Sequence, residues 1–403
     1  MIPVPTEVLC DRNSFQLTTP DPIELTTDGI VQYMKSFQIG PEKTTDTILS
    51  PDNLSIQLVG RDNTLAEIAD IFETSYQYQV EGIPDRTKKI IPLITSIPGM
   101  GKTRLLYEWK NFIPRAANDD KILPIIFSYG NGHSPTATEK CLSPESSLCW
   151  RILFAFFLER FNGGKLFQDL TSPELPENIV DLRLKHVLSV IRSFYDVSMR
   201  LVIFLGIDEY QVIRKLPQQG EISALTTLLE LLVNSMSREM VILPLLAGTA
   251  FSSASGSSGA VCRYVPLRLL SSKEVFSAIR SIKKTNQLLS HAPARRHLFS
   301  LGGVPRYFVN YVERVLKEQK ITMEVMNGAF QHVQTVWVDF WNSHFNSSQL
   351  VKLMAHSLSG QSVGLADCPE GFSETWQQLR DRRVCIISTK GMVTLPYAVL
   401  RHW

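Results

Sequence analysis

The sequence has little that marks a secreted, metal-stapled or membrane-embedded chain. Its six cysteines, Cys10, Cys141, Cys149, Cys262, Cys368 and Cys385, show no C-x-x-C pair and no regular spacing with histidine. A structural zinc site or a disulfide framework is therefore not expected, and a reducing compartment is. The opening MIPVPTEVLCDRN lacks a basic start followed by an apolar stretch, so it does not read as a secretory signal. The expected location is intracellular, cytoplasmic or nuclear. Long apolar runs are missing too. The most apolar helical stretch, Leu148 to Phe157, contains Arg151 and falls short of the roughly twenty residues a bilayer span needs. It reads as a core helix, and no membrane partner is expected. Nor is there a surplus of one charge, since 41 Lys and Arg face 39 Asp and Glu for a net of +2. No global field draws nucleic acid or an anionic membrane. No internal repeat stands out, and the one biased segment, Ser252 to Gly259, reads as a loop. What remains is a chain of 403 residues, 44% hydrophobic, long enough to bury a sizeable core in two or more domains.

Against this background one stretch carries chemistry. Leu93 to Thr103, LITSIPGMGKT, places a short apolar strand before a Gly-rich turn that ends in Lys-Thr, where a helix with Leu105, Leu106 and Trp109 on one face begins. Successive backbone N–H groups in such a turn point at one spot, Lys102 supplies a cation, and the Thr103 hydroxyl suits Mg²⁺. The stretch reads as a phosphate-binding loop, with nucleotide contacts expected from Pro98, Gly99, Met100, Gly101, Lys102, Thr103 and Arg104. In the frame G-x-x-x-x-G-K-[ST], Ser96 stands where the first Gly belongs. The phosphate contacts come mainly from the later part of the loop, which is intact.

Downstream residues complete the pattern. Arg200 to Glu209, RLVIFLGIDE, is a near-continuous apolar run ending in two carboxylates, as a strand buried on both faces of a parallel sheet would be. Asp208 at its tip can bind Mg²⁺ opposite Thr103, and Glu209 can orient the attacking water. A third strand, Met240 to Ala247, leads into Gly248 and Thr249, where Thr249 is placed to sense the γ-phosphate. Arg306, in the turn Gly302-Gly303-Val304-Pro305-Arg306, can bind phosphate oxygens bidentately. Upstream, Gly60 and Arg61 precede an amphipathic segment with Leu65, Ile68, Ala69 and Phe72 in helical spacing, and can line an adenine pocket.

The ordered set LVGRDNTLAEI, SIPGMGKT, FLGIDEYQ, LLAGT and GGVPR resembles an ATPase of the additional-strand, catalytic-glutamate division of P-loop proteins, close to the AAA+ and STAND groups. Within that division it is similar to the NTPase modules of Crinkler effectors and of retrotransposon hot spot proteins. The resemblance implies ATP and Mg²⁺ as cofactors, with Lys102 and Thr103 at the phosphates and metal. It implies Asp208 and Glu209 as the acidic pair, Thr249 as first sensor and Arg306 as second. It implies an ATP-hydrolysing motor or nucleotide-gated switch, a possible homo-oligomer, and among its relatives effectors delivered into a host. A binding-only scaffold and an ATP-regulated DNA-binding protein stay open as alternatives.

These anchors divide the chain. Residues 1–57, rich in Thr, Pro and Asp, read as an arm or linker; 58–270 as an α/β P-loop NTPase core with a parallel sheet covered by helices; 271–335 as a helical lid; 336–403 as a winged-helix-like domain. The last assignment rests on helical spacing at Leu350, Leu353, Met354 and Leu358, then a hairpin, Val384 to Ser388 and Met392 to Leu395, about a Lys390-Gly391 turn. Arg380, Arg382 and Arg383 just before that hairpin give the domain a possible DNA contact.

Overall fold

Aliphatic runs with no charge until their last residue bury on both faces, and so occupy the middle of a parallel sheet. The computed structural model describes residues 22–36, 57–83, 85–130, 133–136, 139–161, 177–196, 198–216, 224–248, 261–282, 285–318, 320–342, 345–381, 384–388 and 390–395. In it the strands β1 (Ile91–Thr95), β2 (Lys121–Ser128), β3 (Leu201–Asp208), β4 (Met240–Gly248) and β5 (Cys262–Pro266) form one sheet in the order β2-β3-β4-β1-β5. Every pairing is parallel. All eight residues of β3 are buried. Because side chains alternate along a strand, Leu201, Ile203, Leu205 and Ile207 enter the core on one face while Val202 and Phe204 enter the other.

Helices cover both faces. On the first lie α1 (Thr27–Ser36), α4 (Pro144–Phe161), α5 (Leu184–Ser193) and α6 (Ala224–Ser235); on the second, α2 (Asp62–Glu81) and α3 (Lys102–Tyr107). The second face is anchored by Phe72, Phe112 and Phe204, whose ring centroids stand 5.6–6.2 Å apart in edge and tilted arrangements.

The N-terminal region departs from the expectation of an arm. Helix α1 packs Ile30 and Met34 into the first-face core, and the Ile23 N–H donates to Asn178 Oδ1 at 2.9 Å. Residues 22–36 therefore belong to the sheet domain. Two apolar residues at i and i+4 are enough to dock one short helix, but too few to show a period within a Thr- and Pro-rich stretch.

The second half is helical: α7 (Ser272–Arg280), α8 (Asn286–Ser290), α9 (Ala292–Ser300), α10 (Pro305–Lys317), α11 (Met323–Asn342), α12 (Ser347–Ser359) and α13 (Trp376–Asp381), then β6 (Ile386–Ile387) paired antiparallel with β7 (Val393–Thr394). Here too the expected division shifts. One hydrophobic core runs from Leu270 through Val312, Phe330 and Leu353 to Leu395, and α11 passes straight through residue 335. Lid and C-terminal region are built around a shared core. Among the described residues, Cys141, Cys149, Cys262, Cys368 and Cys385 are free thiols and no helix is long and apolar enough to cross a membrane.

Ile30 is 2% exposed, so Ile30→Ala removes packing from the sheet domain itself. Urea unfolding of the variant should show a loss of about 2–5 kcal/mol. A midpoint equal to wild type would return the segment to the status of an arm.

Candidate nucleotide site

The strand tips decide where chemistry can occur. In open parallel sheets, ligands sit beyond the carboxyl ends of the strands, where connections from one strand to the next diverge. Here β1 has β4 on one side and β5 on the other, and the chain leaving β1 enters the Gly-rich turn.

That turn needs two of its glycines. Gly99 and Gly101 have φ of 83° and 86°, which side-chain-bearing residues rarely adopt, while Ser96 is not among the positive-φ residues. The substitution of Ser for the first Gly is therefore tolerated by the backbone. A Cβ at Gly99 would also stand 2.8 Å from the Cβ of Arg306.

Four carbonyls of the turn are held by donors from three directions. Lys102 is 5% exposed, and its Nζ donates to Ser96 O at 2.9 Å and Ile97 O at 3.0 Å. The Arg306 N–H donates to Gly99 O at 3.0 Å, and Arg61 Nη2 donates to Met100 O at 2.9 Å. In a planar trans peptide the carbonyl and the next N–H point in opposite directions. Holding the Gly99 and Met100 carbonyls thus turns the Met100 and Gly101 N–H groups the other way, as an anion site requires.

Helix α3 lies on β3 and β4, which brings Thr103 over the tip of β3 although β4 separates β3 from β1. Thr103 Oγ1 donates to Asp208 Oδ2 at 2.6 Å. Asp208 is 1% exposed; burial pushes its carboxyl above the usual aspartate range, opposed first by the Thr103 hydrogen bond. A hydroxyl and a carboxylate oxygen side by side form a hard donor pair suited to Mg²⁺. This is a P-loop NTPase fold.

The proteins to which the chain is similar are distant. No protein-family model matches the sequence, and no curated protein is similar to it in sequence. Among solved structures, the Walker-type ATPase PABY2304 of Pyrococcus abyssi is 13% identical, with 85% of this chain and 95% of that one covered at a TM-score of 0.48. The ORC2 protein of Aeropyrum pernix is 15% identical, with 87% and 94% covered at 0.47. The ORC1 protein of Aeropyrum pernix, solved with DNA, is 13% identical, with 87% and 94% covered at 0.43. The fold assignment rests on the sheet order and the loop.

Glu209 follows Asp208 with φ 53° and ψ 39°, and it is the one non-glycine with positive φ among the described residues. Such a conformation costs on the order of 1 kcal/mol or more and is held in place by its surroundings. Gln211 Nε2 donates to its carboxylate, and its Cγ lies against Gly130, where an added Cβ would stand only 2.8 Å away. Gln211 and the Tyr210 ring also lie against Gly248 at the end of β4. Gln211 and Gly130 were not legible as site residues: a glutamine two places after a carboxylate and a glycine after a strand are each too common to signal a role.

The lid meets the phosphate loop directly. Gly302 and Gly303, with φ of 67° and 78°, reverse the chain so that Pro305 starts α10 and the backbone of Arg306 reaches Gly99, while the Arg306 side chain is exposed. Thr249 lies outside the described residues.

Gly60 and Arg61, expected to line an adenine pocket, lie between the phosphate loop and the start of the lid. The Arg61 side chain is buried and its Nη1 and Nη2 are given to backbone carbonyls of Arg268, at 2.6 Å, and Met100. Burial first and the Arg268 charge second bring its pKa down to about 10, so it remains a cation at neutral pH. Gly60 backs onto Glu274 and Leu270. The pair braces the phosphate loop against the start of the lid. Met100 is fully buried in the second-face core, Arg104 pairs with Glu108 at 3.0 Å, and Pro98 directly precedes Gly99 on the turn.

The brace has a pH signature. Glu274 accepts from Arg268 and from the Ser271 N–H and hydroxyl, and these bonds, Arg268 first, hold its carboxyl down to about 2 from an ordinary 4.5. A depressed carboxyl stabilises the fold fully above the unfolded value and loses that contribution as pH falls from 4.5 towards about 2. Across that window, urea midpoints of wild type should fall more steeply with acid than those of Glu274→Gln. Parallel slopes would disprove the ion pair's part in the brace.

Proposed function

We propose that the protein binds Mg-ATP beyond the tips of β1, β3 and β4 and hydrolyses it, working as a nucleotide-gated switch or motor. The observation that carries this reading is the Thr103 to Asp208 contact, with Glu209 beside it and Lys102 held in the loop. Lys102 is the cation for the β- and γ-phosphates, exchanging its two carbonyl partners for phosphate oxygens when nucleotide enters. Thr103 and Asp208 would hold Mg²⁺, which when bound would neutralise charge on the phosphates. Glu209 orients and polarises the attacking water. Thr249 and Arg306 are the sensors, and Arg306 is supported in that role by its backbone bond to Gly99.

The placement of β4 between β1 and β3, and of a glutamate directly after the strand-tip aspartate, supports the additional-strand division to which AAA+ and STAND proteins belong. The narrower likeness to Crinkler modules is supported by DEYQ, AGT and GGVPR alone.

For the C-terminal region, Ser362 bridging Met392 beside the β6–β7 pair gives an antiparallel order of Ser362, β7, β6, which supports a winged-helix reading. Its use is packing and regulation rather than DNA contact through Arg380. The Nε and Nη2 atoms of Arg380 are shielded from solvent, and its charge acts on Tyr264 of β5, whose hydroxyl donates to Thr95 O at 3.3 Å. Arg382 and Arg383 lie outside the described residues.

Two variants test the core of this function. Glu209→Gln should keep ATP affinity by calorimetry while phosphate release falls by about 100-fold or more, since the amide keeps the shape but not the basicity. Lys102→Ala should lose ATP binding itself. Wild-type turnover in the first, or unchanged affinity in the second, overturns the assignment.

A further inference from the structure

A buried ion pair stands behind the β2 tip, away from the phosphate loop. Glu139 and Arg151 are 0% and 1% exposed and meet bidentately, Nε to Oε1 and Nη2 to Oε2, each at 2.6 Å. Ser147 Oγ donates to Glu139 Oε1 at 2.6 Å, and the guanidinium lies over the Tyr129 ring at 4.0 Å from its centroid. Such a pair is a poor source of stability. Desolvating both charges costs about what their attraction returns, and apolar residues of similar volume often do as well or better. Its presence calls for another reason, and the remaining donor supplies one.

Arg151 Nη1 donates to the carbonyl of Ser128 and, at 2.9 Å, to that of His133. These two carbonyls flank Gly130. The same backbone is tied to the site strand, since the Tyr129 N–H donates to Asp208 O at 3.0 Å, and it is tied to itself, since Gly130 O accepts from the His133 N–H at 2.9 Å and from Ser128 Oγ at 3.1 Å. Gly130 is thereby fixed, and it is the surface on which Glu209 rests: a Cβ there would stand 2.8 Å from Glu209 Cγ and 3.0 Å from Glu209 Cβ. Glu209 is also the residue held in a left-handed conformation, which persists only where its neighbours over-determine it.

We propose that Arg151 and Glu139 are positioning residues that act through Gly130 to hold the Glu209 carboxylate where it meets the attacking water. The inference rests on the nucleotide reading for the role of Glu209, and on the geometry alone for its placement. A carboxylate displaced by about 1 Å loses up to about 100-fold in rate while the nucleotide, bound by another loop, is unaffected.

Gly130→Ala is the direct test. Gly130 is not among the positive-φ residues, so alanine strains no backbone there and acts by pressing on Glu209. ATP affinity should hold and kcat should fall by about 10–100-fold. The apolar pair Glu139→Leu with Arg151→Met, made together because removing one partner alone strands a buried charge, should do the same. Placed in a Glu209→Gln background, neither change should lower the residual rate further, since residues that act through one group are not additive. Wild-type kcat in folded Gly130→Ala, an equal loss in the Glu209→Gln background, or a loss of ATP affinity in place of kcat would each overturn the proposal. Crystal structures supply a readout that needs no turnover: the Glu209 carboxylate should shift in both variants. Should the wild-type protein fail to bind ATP, the nucleotide reading falls, and an unmoved Glu209 in those structures would overturn the positioning claim as well.

Discussion

The site depends on one contact, the hydrogen bond from Thr103 to Asp208. These residues leave strands that are not neighbours, because β4 lies between β1 and β3. Only a helix that crosses the tips of β3 and β4 can bring the hydroxyl to the carboxylate, and α3 does so because Leu105 and Leu106 bury against the second face of the sheet. The polar contact is thus positioned by apolar packing. Its cost is visible in Asp208, whose burial raises its carboxyl and whose bond from Thr103 works against that shift. A carboxylate kept out of water in this way is one whose charge a nearby cation would stabilise.

Around that contact the backbone is held under constraint from several sides. Left-handed residues at Gly99, Gly101 and Glu209 would relax in an isolated peptide. In the folded chain Lys102 and Arg61 grip the loop from below and from the α2 end, and the lid grips it through Arg306. Each bond satisfies a carbonyl, and each is made by a charged group or by the first turn of a helix, whose N–H groups lack partners of their own. Their combined effect is orientation.

Local rules made part of the molecule legible in the sequence. The uncharged aliphatic runs of β3 and β4 announced buried parallel strands, and the order of glycines, lysine and threonine announced the loop, because both signals are carried by consecutive residues. The illegible part is carried by residues far apart. Nothing around Arg61 shows that its guanidinium will be given to the Met100 and Arg268 carbonyls, because those residues are on other elements. The join expected between lid and C-terminal region falls inside α11, because helical spacing within each segment does not show that the two share one hydrophobic core. Arg380, a DNA-contact candidate from its place before the hairpin, has its Nε and Nη2 atoms shielded from solvent, while Ile386 of that hairpin docks into the sheet's own core.

That docking closes a circuit. Tyr264 donates to Thr95, the last residue of β1 before the phosphate loop, and its hydroxyl, whose pKa burial raises, feels the opposing charge of Arg380 from a domain whose core is continuous with the lid. The lid in turn holds Gly99 through Arg306, and Arg61 and Glu274 connect the loop to the first turn of α7. The loop is therefore bordered by the lid at Gly99, by the residue before α2 at Met100 and by β5 at Thr95. A ligand that alters the Gly99 carbonyl must work against the Arg306 N–H of the lid, and one that alters the Met100 carbonyl against Arg61. Through the Arg306 bond to Gly99 the loop is joined to the core that the lid and C-terminal region share.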